Sequence, residues 1–175
     1  MRSMIPIISL VILLHSGSYA LAQTTGTRLG AYDYQSLVLW FEEPQDIAHI
    51  RQLLQEGQDA KAVQKAREYA ASLASMQSRE GLVLHYFALN ALCAALTKTG
   101  EIEEAVETCG RAIDLVPWKW QAYNNRGTTY FISGDYTSAL QEYRKAAERI
   151  PAEGDAKFIV ESNIKLAETR LAAER

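Results

Sequence analysis

Hydrophobic and polar positions along this chain fall into blocks with different rhythms. Met4 to Leu14 is an apolar run with only Ser9 polar inside it. From about residue 45 onward the rhythm is helical. Apolar residues recur every three or four positions, and several runs stop at Gly or Pro, although no Pro closes the unit over 45–76. Two stretches, "NALCAALTKTGEIEEAVETCGRAIDLVP" (90–117) and "NNRGTTYFISGDYTSALQEYRKAAERIP" (124–151), carry the same punctuation 34 residues apart. Gly100 recurs as Gly134, Ala105 as Ala139, Ala112 as Ala146 and Pro117 as Pro151. Leu89, Leu92 and Leu96 fall opposite Tyr123, Arg126 and Tyr130. A fixed period without slippage predicts stacked supersecondary units.

The punctuation has physical causes. A helix that must stop and reverse within two or three residues needs a left-handed residue, and Gly takes that conformation freely. Asp135 then offers a side-chain oxygen to cap the returning helix. Antiparallel helices approach closely only where side chains are small. Gly127 and Cys93 on first helices, and Ala139 and Ala105 on second helices, provide those gaps. Ala146 and Ala112 leave room for the next unit. Pro cannot continue a helix interior, so it ends each second helix.

This spacing resembles the tetratricopeptide repeat: an aromatic or Leu, then x₂-L-G-x₂-Y, then A-x₃-F and a closing Pro. Residues 118–151 supply Tyr123, Arg126-Gly127, Tyr130, Ala139, Tyr143, Ala146 and Pro151, with Arg126 where the family prefers Leu. Residues 80–117 supply Leu89, Leu92-Cys93, Leu96, Ala105, Cys109, Ala112 and Pro117, with Cys in place of both the small residue and the aromatic. A degenerate copy over 45–76 has Gly57 at its turn, Ala62 five later and Ala66 after that. Gly57 and Gly100 are 43 apart rather than 34. The extra residues predict an elongated second helix or a longer loop near "ASMQSREGL". Beyond Pro151, Val160, Ile164, Ala167 and Leu171 make one apolar stripe, predicting a capping helix over 154–174. The resemblance implies an all-α, right-handed solenoid of about three helical hairpins plus that cap.

The N-terminal block is different. Arg2, the apolar run and the small-residue site Ala20-Leu21-Ala22 form a secretory signal-peptide pattern over 1–22, with cleavage expected after Ala22. A run of about eleven residues is too short for a hydrocarbon core of ~30 Å. Residues 23–44 read as a flexible or docking segment. Within it "YDYQSLVLWF" (32–41) is ambiguous between a helix and an extended stretch, and its apolar density suggests docking on the first hairpin. Removing the leader takes only Arg2 from the charge count, leaving 17 basic and 21 acidic residues. That balance has no strongly basic face for nucleic acid or anionic membrane. No stable membrane insertion is expected once the leader is gone. The absence of an Asn-x-Ser/Thr sequon leans toward bacterial export, with the periplasm as first destination and full secretion as the alternative.

Catalytic chemistry finds no residues to run it. His15 belongs to the leader, and His49 and His85 are isolated from any metal-ligand or triad spacing. Glu103-Glu104 reads as a solvated face. No cofactor and no metal is implied. Cys93 and Cys109 leave two readings open. An exporting compartment favours a bridge, yet simple antiparallel pairing sets Cys93 nearest Ala105, one turn from Cys109, so two buried thiols also fit. Trp118-Lys119-Trp120 reads either as packing at a unit junction or as an exposed anchor for a partner.

In the family, first helices line a concave groove that takes an extended peptide or a partner helix. By position the resemblance implies groove residues Phe87, Asn90, Ala94, Thr97 and Lys98, and then Gln121, Asn124, Asn125, Thr128 and Phe131. Asn suits the work, since it both donates to and accepts from a peptide backbone. The expected function is a non-catalytic interaction module or adaptor of the bacterial envelope with an unidentified protein or peptide partner. The alternatives are an obligate structural subunit and a binder of small molecules or cell-wall fragments.

Overall fold

A computed structural model describes residues 44–150 and 156–174. The leader, residues 23–43 and Pro151 lie outside the described residues. Among the described residues seven helices follow one another: α1 (Gln45–Gln55), α2 (Asp59–Leu73), α3 (Arg79–Thr99), α4 (Ile102–Leu115), α5 (Trp120–Ile132), α6 (Tyr136–Ala147) and α7 (Ala156–Ala173). They pair as α1/α2, α3/α4 and α5/α6, and α7 covers the last hairpin.

The three turns close in one way. Gly57, Gly100 and Gly134 sit at φ of 72°, 82° and 87°, and each residue following them donates its N–H five residues back. The three bonds are Gln58 to Leu53 (2.8 Å), Glu101 to Leu96 (3.0 Å) and Asp135 to Tyr130 (2.9 Å). This closure satisfies carbonyls that a helix end otherwise orphans. Its recurrence at Gly57 makes the worn first copy a hairpin of the same kind as the other two.

The extra residues between Gly57 and Gly100 go neither into the second helix nor mainly into the loop. They lengthen the start of α3, which has 21 residues against 13 in α5. Ser78 makes this possible by accepting the Gly81 N–H at 3.0 Å as N-cap, which starts the helix early with Glu80 in its positive first turn.

Asp135 caps α6 as its position predicts, accepting the Ser138 N–H at 2.9 Å. Hydrogen bonding from Ser138 holds its carboxyl below the ordinary value of 3.8. A depressed acid stabilises the fold above its unfolded pKa, and the contribution fades as pH falls through the folded value. Asp135→Ala should therefore cost about 1 kcal/mol in urea unfolding at pH 7. The difference from wild type should shrink as the pH falls through the depressed pKa of the folded carboxyl.

First helices form the inner layer. The next-but-one contacts α1 to α3, α3 to α5 and α5 to α7 all run between them, while α2, α4 and α6 lie outside. Between layers sit the small residues the repeat calls for. Ala62, Ala66, Ala105, Ala112, Ala139 and Ala146 are all fully buried. The cap presents Val160 and Ala167 to this core, with Ile164 partly buried beside them.

Candidate functional site: the inner face of the solenoid

The inner layer is stitched by polar side chains. Tyr86 on α3 donates to the Gln121 Oε1 (3.1 Å), and its oxygen accepts the Ala122 N–H (3.3 Å). Asn125 on α5 donates to the Asn90 Oδ1 on α3 (3.0 Å). Asn163 on α7 donates to the Asn124 Oδ1 on α5 (2.8 Å). Further along, the Thr97 and Thr129 hydroxyls are 2.7 Å apart. The Thr128 hydroxyl lies 3.2 Å from the Tyr143 hydroxyl. Burial pushes the Tyr86 phenol well above its usual range, so it acts as a neutral hydrogen-bonding group.

These contacts place the residues implied by the groove pattern. Asn90, Asn124, Asn125, Thr128 and Gln121 are brought together on adjacent first helices, and they are buried rather than presented to water. Phe87 is buried edge-on against Tyr86, with ring centroids 5.0 Å apart. Phe131 is half-buried against Tyr136 at 5.1 Å. Lys98 is occupied elsewhere: its ammonium pairs with Asp59 at 2.8 Å and donates to the Leu54 carbonyl, pinning the first turn to α3. The reason is the close spacing of first helices, which lets short amides reach one another before they reach solvent.

The amide ladder is incomplete. The Asn90 Nδ2, Asn124 Nδ2 and Asn125 Oδ1 are buried with no hydrogen-bond partner. Each such atom is costly to leave unmade, by about 1–3 kcal/mol. Two donors and one acceptor thus remain unmatched between the inner helices.

Two residues at the inner face lie outside the groove positions that the resemblance implied. Asn163 joins the ladder because α7 is displaced in register from the earlier units; a constant 34-residue period misses it. Lys119, the residue before α5, has its Nζ 5.0 Å from the Phe87 ring centroid and 5.9 Å from that of Tyr86. Desolvation lowers its pKa, and among the described residues no carboxylate pairs with it. The neighbouring tryptophans divide the two readings between them: Trp120 is buried at the junction, and Trp118 is 65% exposed.

Cys93 and Cys109 form a disulfide across α3 and α4, with Cα atoms 5.4 Å apart. Arg126, at the position where the repeat prefers Leu, bonds Glu142 through Nε and Nη2 at 3.0 and 2.8 Å. Lys145 takes the other carboxylate oxygen at 2.7 Å. The departure from consensus is thus balanced by an acid on the facing helix. His85 is buried, and its imidazole pKa is lowered by desolvation and then by Arg111.

Comparison with known proteins agrees with this architecture. Residues 120–152 match the family described as Tetratricopeptide repeat. A DnaJ homolog subfamily C member 3 homolog of Dictyostelium discoideum is 37% identical over 59 residues, 34% of this chain and 12% of that protein. DnaJ protein P58IPK homolog A of Oryza sativa subsp. japonica is 27% identical over 108 residues, 60% of this chain and 22% of that protein. The crystal structure of the P58(IPK) TPR domain superposes with a TM-score of 0.59 at 18% identity, over 89% of this chain and 40% of that one. The chain spans less than a quarter of the length of these two curated relatives. The fold is an all-α solenoid of the tetratricopeptide-repeat type, and residues 120–152 match one such repeat.

Proposed function

We infer that this chain is an exported adaptor of the bacterial envelope that receives a partner polypeptide along its inner face. The observation that carries the reading is the incomplete amide ladder, where Asn90, Asn124 and Asn125 keep two donors and one acceptor unmatched inside the fold. An extended peptide offers alternating carbonyl and N–H groups at the right scale, and no reaction is needed. The leader pattern supports export, and the disulfide is at home in an oxidising compartment. Crosslinking mass spectrometry on intact envelopes is the test. It should recover a recurrent protein partner linked near α3 and α5, and Asn124→Leu should reduce that crosslink at least fivefold. Recovery of the chain only in the cytoplasm, or a partner linked solely to the outer helices, would remove the reading.

A second reading, a subunit held permanently in a complex, draws on two exposed aromatics: Trp118 at 65% and Phe158 at 66%. It requires the isolated chain to aggregate or disappear without its partner.

A further inference from the structure

Helix α7 is apolar on two faces. Ile159, Val160, Asn163 and Ala167 are buried against the last hairpin. Phe158, Ser162, Leu166, Thr169 and Ala173 follow one another at i, i+4, i+8, i+11 and i+15, so they form a second stripe on the opposite side. On that stripe Phe158 is 66% exposed and Leu166 40%. A helix that closes a solenoid ordinarily turns a polar face outward. The first hairpin does so, since α1 exposes Gln45, His49, Gln52 and Gln55. The two ends of the described stack therefore differ, one polar and one apolar.

That difference selects the kind of partner. Copies joined head to tail would set the apolar stripe of α7 against the polar face of α1. An isologous contact sets the stripe against itself and closes after two copies. The stripe suits this when two α7 helices run antiparallel. Phe158 and Leu166 are equidistant from Ser162, so a two-fold axis there puts the Phe158 of each copy on the Leu166 of the other. Ser162 is small enough to let the helices meet at the axis. Charges on the flank agree. Lys165 and Glu161 stand on the same side of the stripe. Antiparallel pairing brings the Lys165 of one copy level with the Glu161 of the other to within about 3 Å along the helix. Symmetry makes that contact twice. Both groups are exposed, and neither is firmly engaged. Among the described residues no carboxylate pairs with Lys165, and Glu161 meets Lys157 only at 3.9 Å.

We propose that the outer stripe of α7 is a self-association surface, on which a second copy of this chain docks antiparallel about Ser162. Phe158 and Leu166 form its apolar seam, and two reciprocal Lys165–Glu161 pairs fix its register. This pairing does not depend on what the inner face receives. A dimer carries two inner faces at a fixed separation, which raises the avidity for any partner that bears two recognised segments.

Sedimentation of the whole chain, expressed with its leader, is the test. The wild type should be a dimer at about 100 µM and dissociate on dilution, because one helix face per copy lies at the small end of specific interfaces. Phe158→Ser/Leu166→Ser should raise the dimer dissociation constant at least tenfold with unchanged helical circular dichroism, since both side chains face away from the core. Lys165→Glu should raise it about fivefold by turning two attractions into two repulsions. The double swap Glu161→Lys/Lys165→Glu should return it to within about twofold of wild type. On oxidation Ser162→Cys should give a covalent dimer, because facing helices about 10 Å apart bring Cα atoms on the axis to about 5 Å. Thr169→Cys should give none, its two copies lying about 21 Å apart along the helices. The native cysteines are already bonded to each other and do not compete. A wild-type chain that stays monomeric at this concentration overturns the proposal, and so does a dimer that survives Phe158→Ser/Leu166→Ser. Equal crosslinking by both cysteine variants, or no recovery in the double swap, overturns the antiparallel docking.

Discussion

Reducing the Cys93–Cys109 bridge should lower the unfolding free energy by about 3 kcal/mol, the entropy expected for a loop of this size. The two residues are 16 apart in sequence. The bond closes the α3/α4 hairpin, so the reduced unfolded chain regains freedom that the oxidised one lacks. Both sulfurs are buried, and the hairpin they close is the central one, flanked by α2 on one side and α5 on the other. Weakening it therefore loosens the whole stack rather than an end. For a chain of this length the melting temperature should fall by about 6–12 °C. Thermal unfolding followed by circular dichroism, with and without a phosphine reductant, measures it. The Cys93→Ala/Cys109→Ala chain should melt with the reduced wild type and ignore the reductant. A reductant that leaves the wild-type melt unmoved would show that the bridge contributes nothing.

An equally large loss is expected from Gly127→Val. A Cβ at this position would stand 2.7 Å from both Cδ1 and Cε1 of Tyr143, and 3.2 Å from the Ala139 carbonyl oxygen. Tyr143 is among the largest fully buried side chains and is held by the Thr128 hydroxyl, so its ring has nowhere to retreat. The β-branched side chain must push α5 and α6 apart, against an overpacking cost of about 1–3 kcal/mol for each such clash. Replacing Gly in a helix interior returns up to about 1 kcal/mol of propensity, which does not cover the clash. The net expectation is a loss of about 3 kcal/mol in urea unfolding. Gly110 on α4 is the internal control. A Cβ there meets only Arg126 Nη1 at 3.7 Å, an ordinary contact. Gly110→Ala should instead gain about 0.5–1 kcal/mol. If both substitutions moved stability in the same direction, bulk at the α5/α6 contact would not be what Gly127 avoids.

The two glycines also show where sequence reading reaches and where it stops. Gly127 is legible because the repeat places it against Ala139, and the structure puts both at the close approach. The three turn glycines are legible for a local reason: only a left-handed residue lets the chain reverse there. The inner-face positions are legible as positions. Asn90, Asn124 and Asn125 do stand together on neighbouring first helices. Their state is not legible, because whether an amide meets water or another amide depends on the distance and rotation between helices. Lys98 shows the same limit. Its sequence neighbours give no hint of Asp59 or of the Leu54 carbonyl, since both belong to the preceding unit. The choice between bridge and free thiols at Cys93 and Cys109 turned on an offset of one helical turn, which only the packed hairpin resolves.

What the sequence determined by itself is the repeating architecture: where helices stop, where backbones may touch, and that hairpins must stack. Those features follow from residue size and backbone freedom, which act over one or two turns and need no distant partner. Tertiary structure alone decided that α3 absorbs the additional residues, that Trp120 is inside and Trp118 outside, and that the amide ladder is buried with three atoms unmatched. Each of these depends on how one helix is rotated and shifted against the next, a quantity set by the whole stack and written in no single segment.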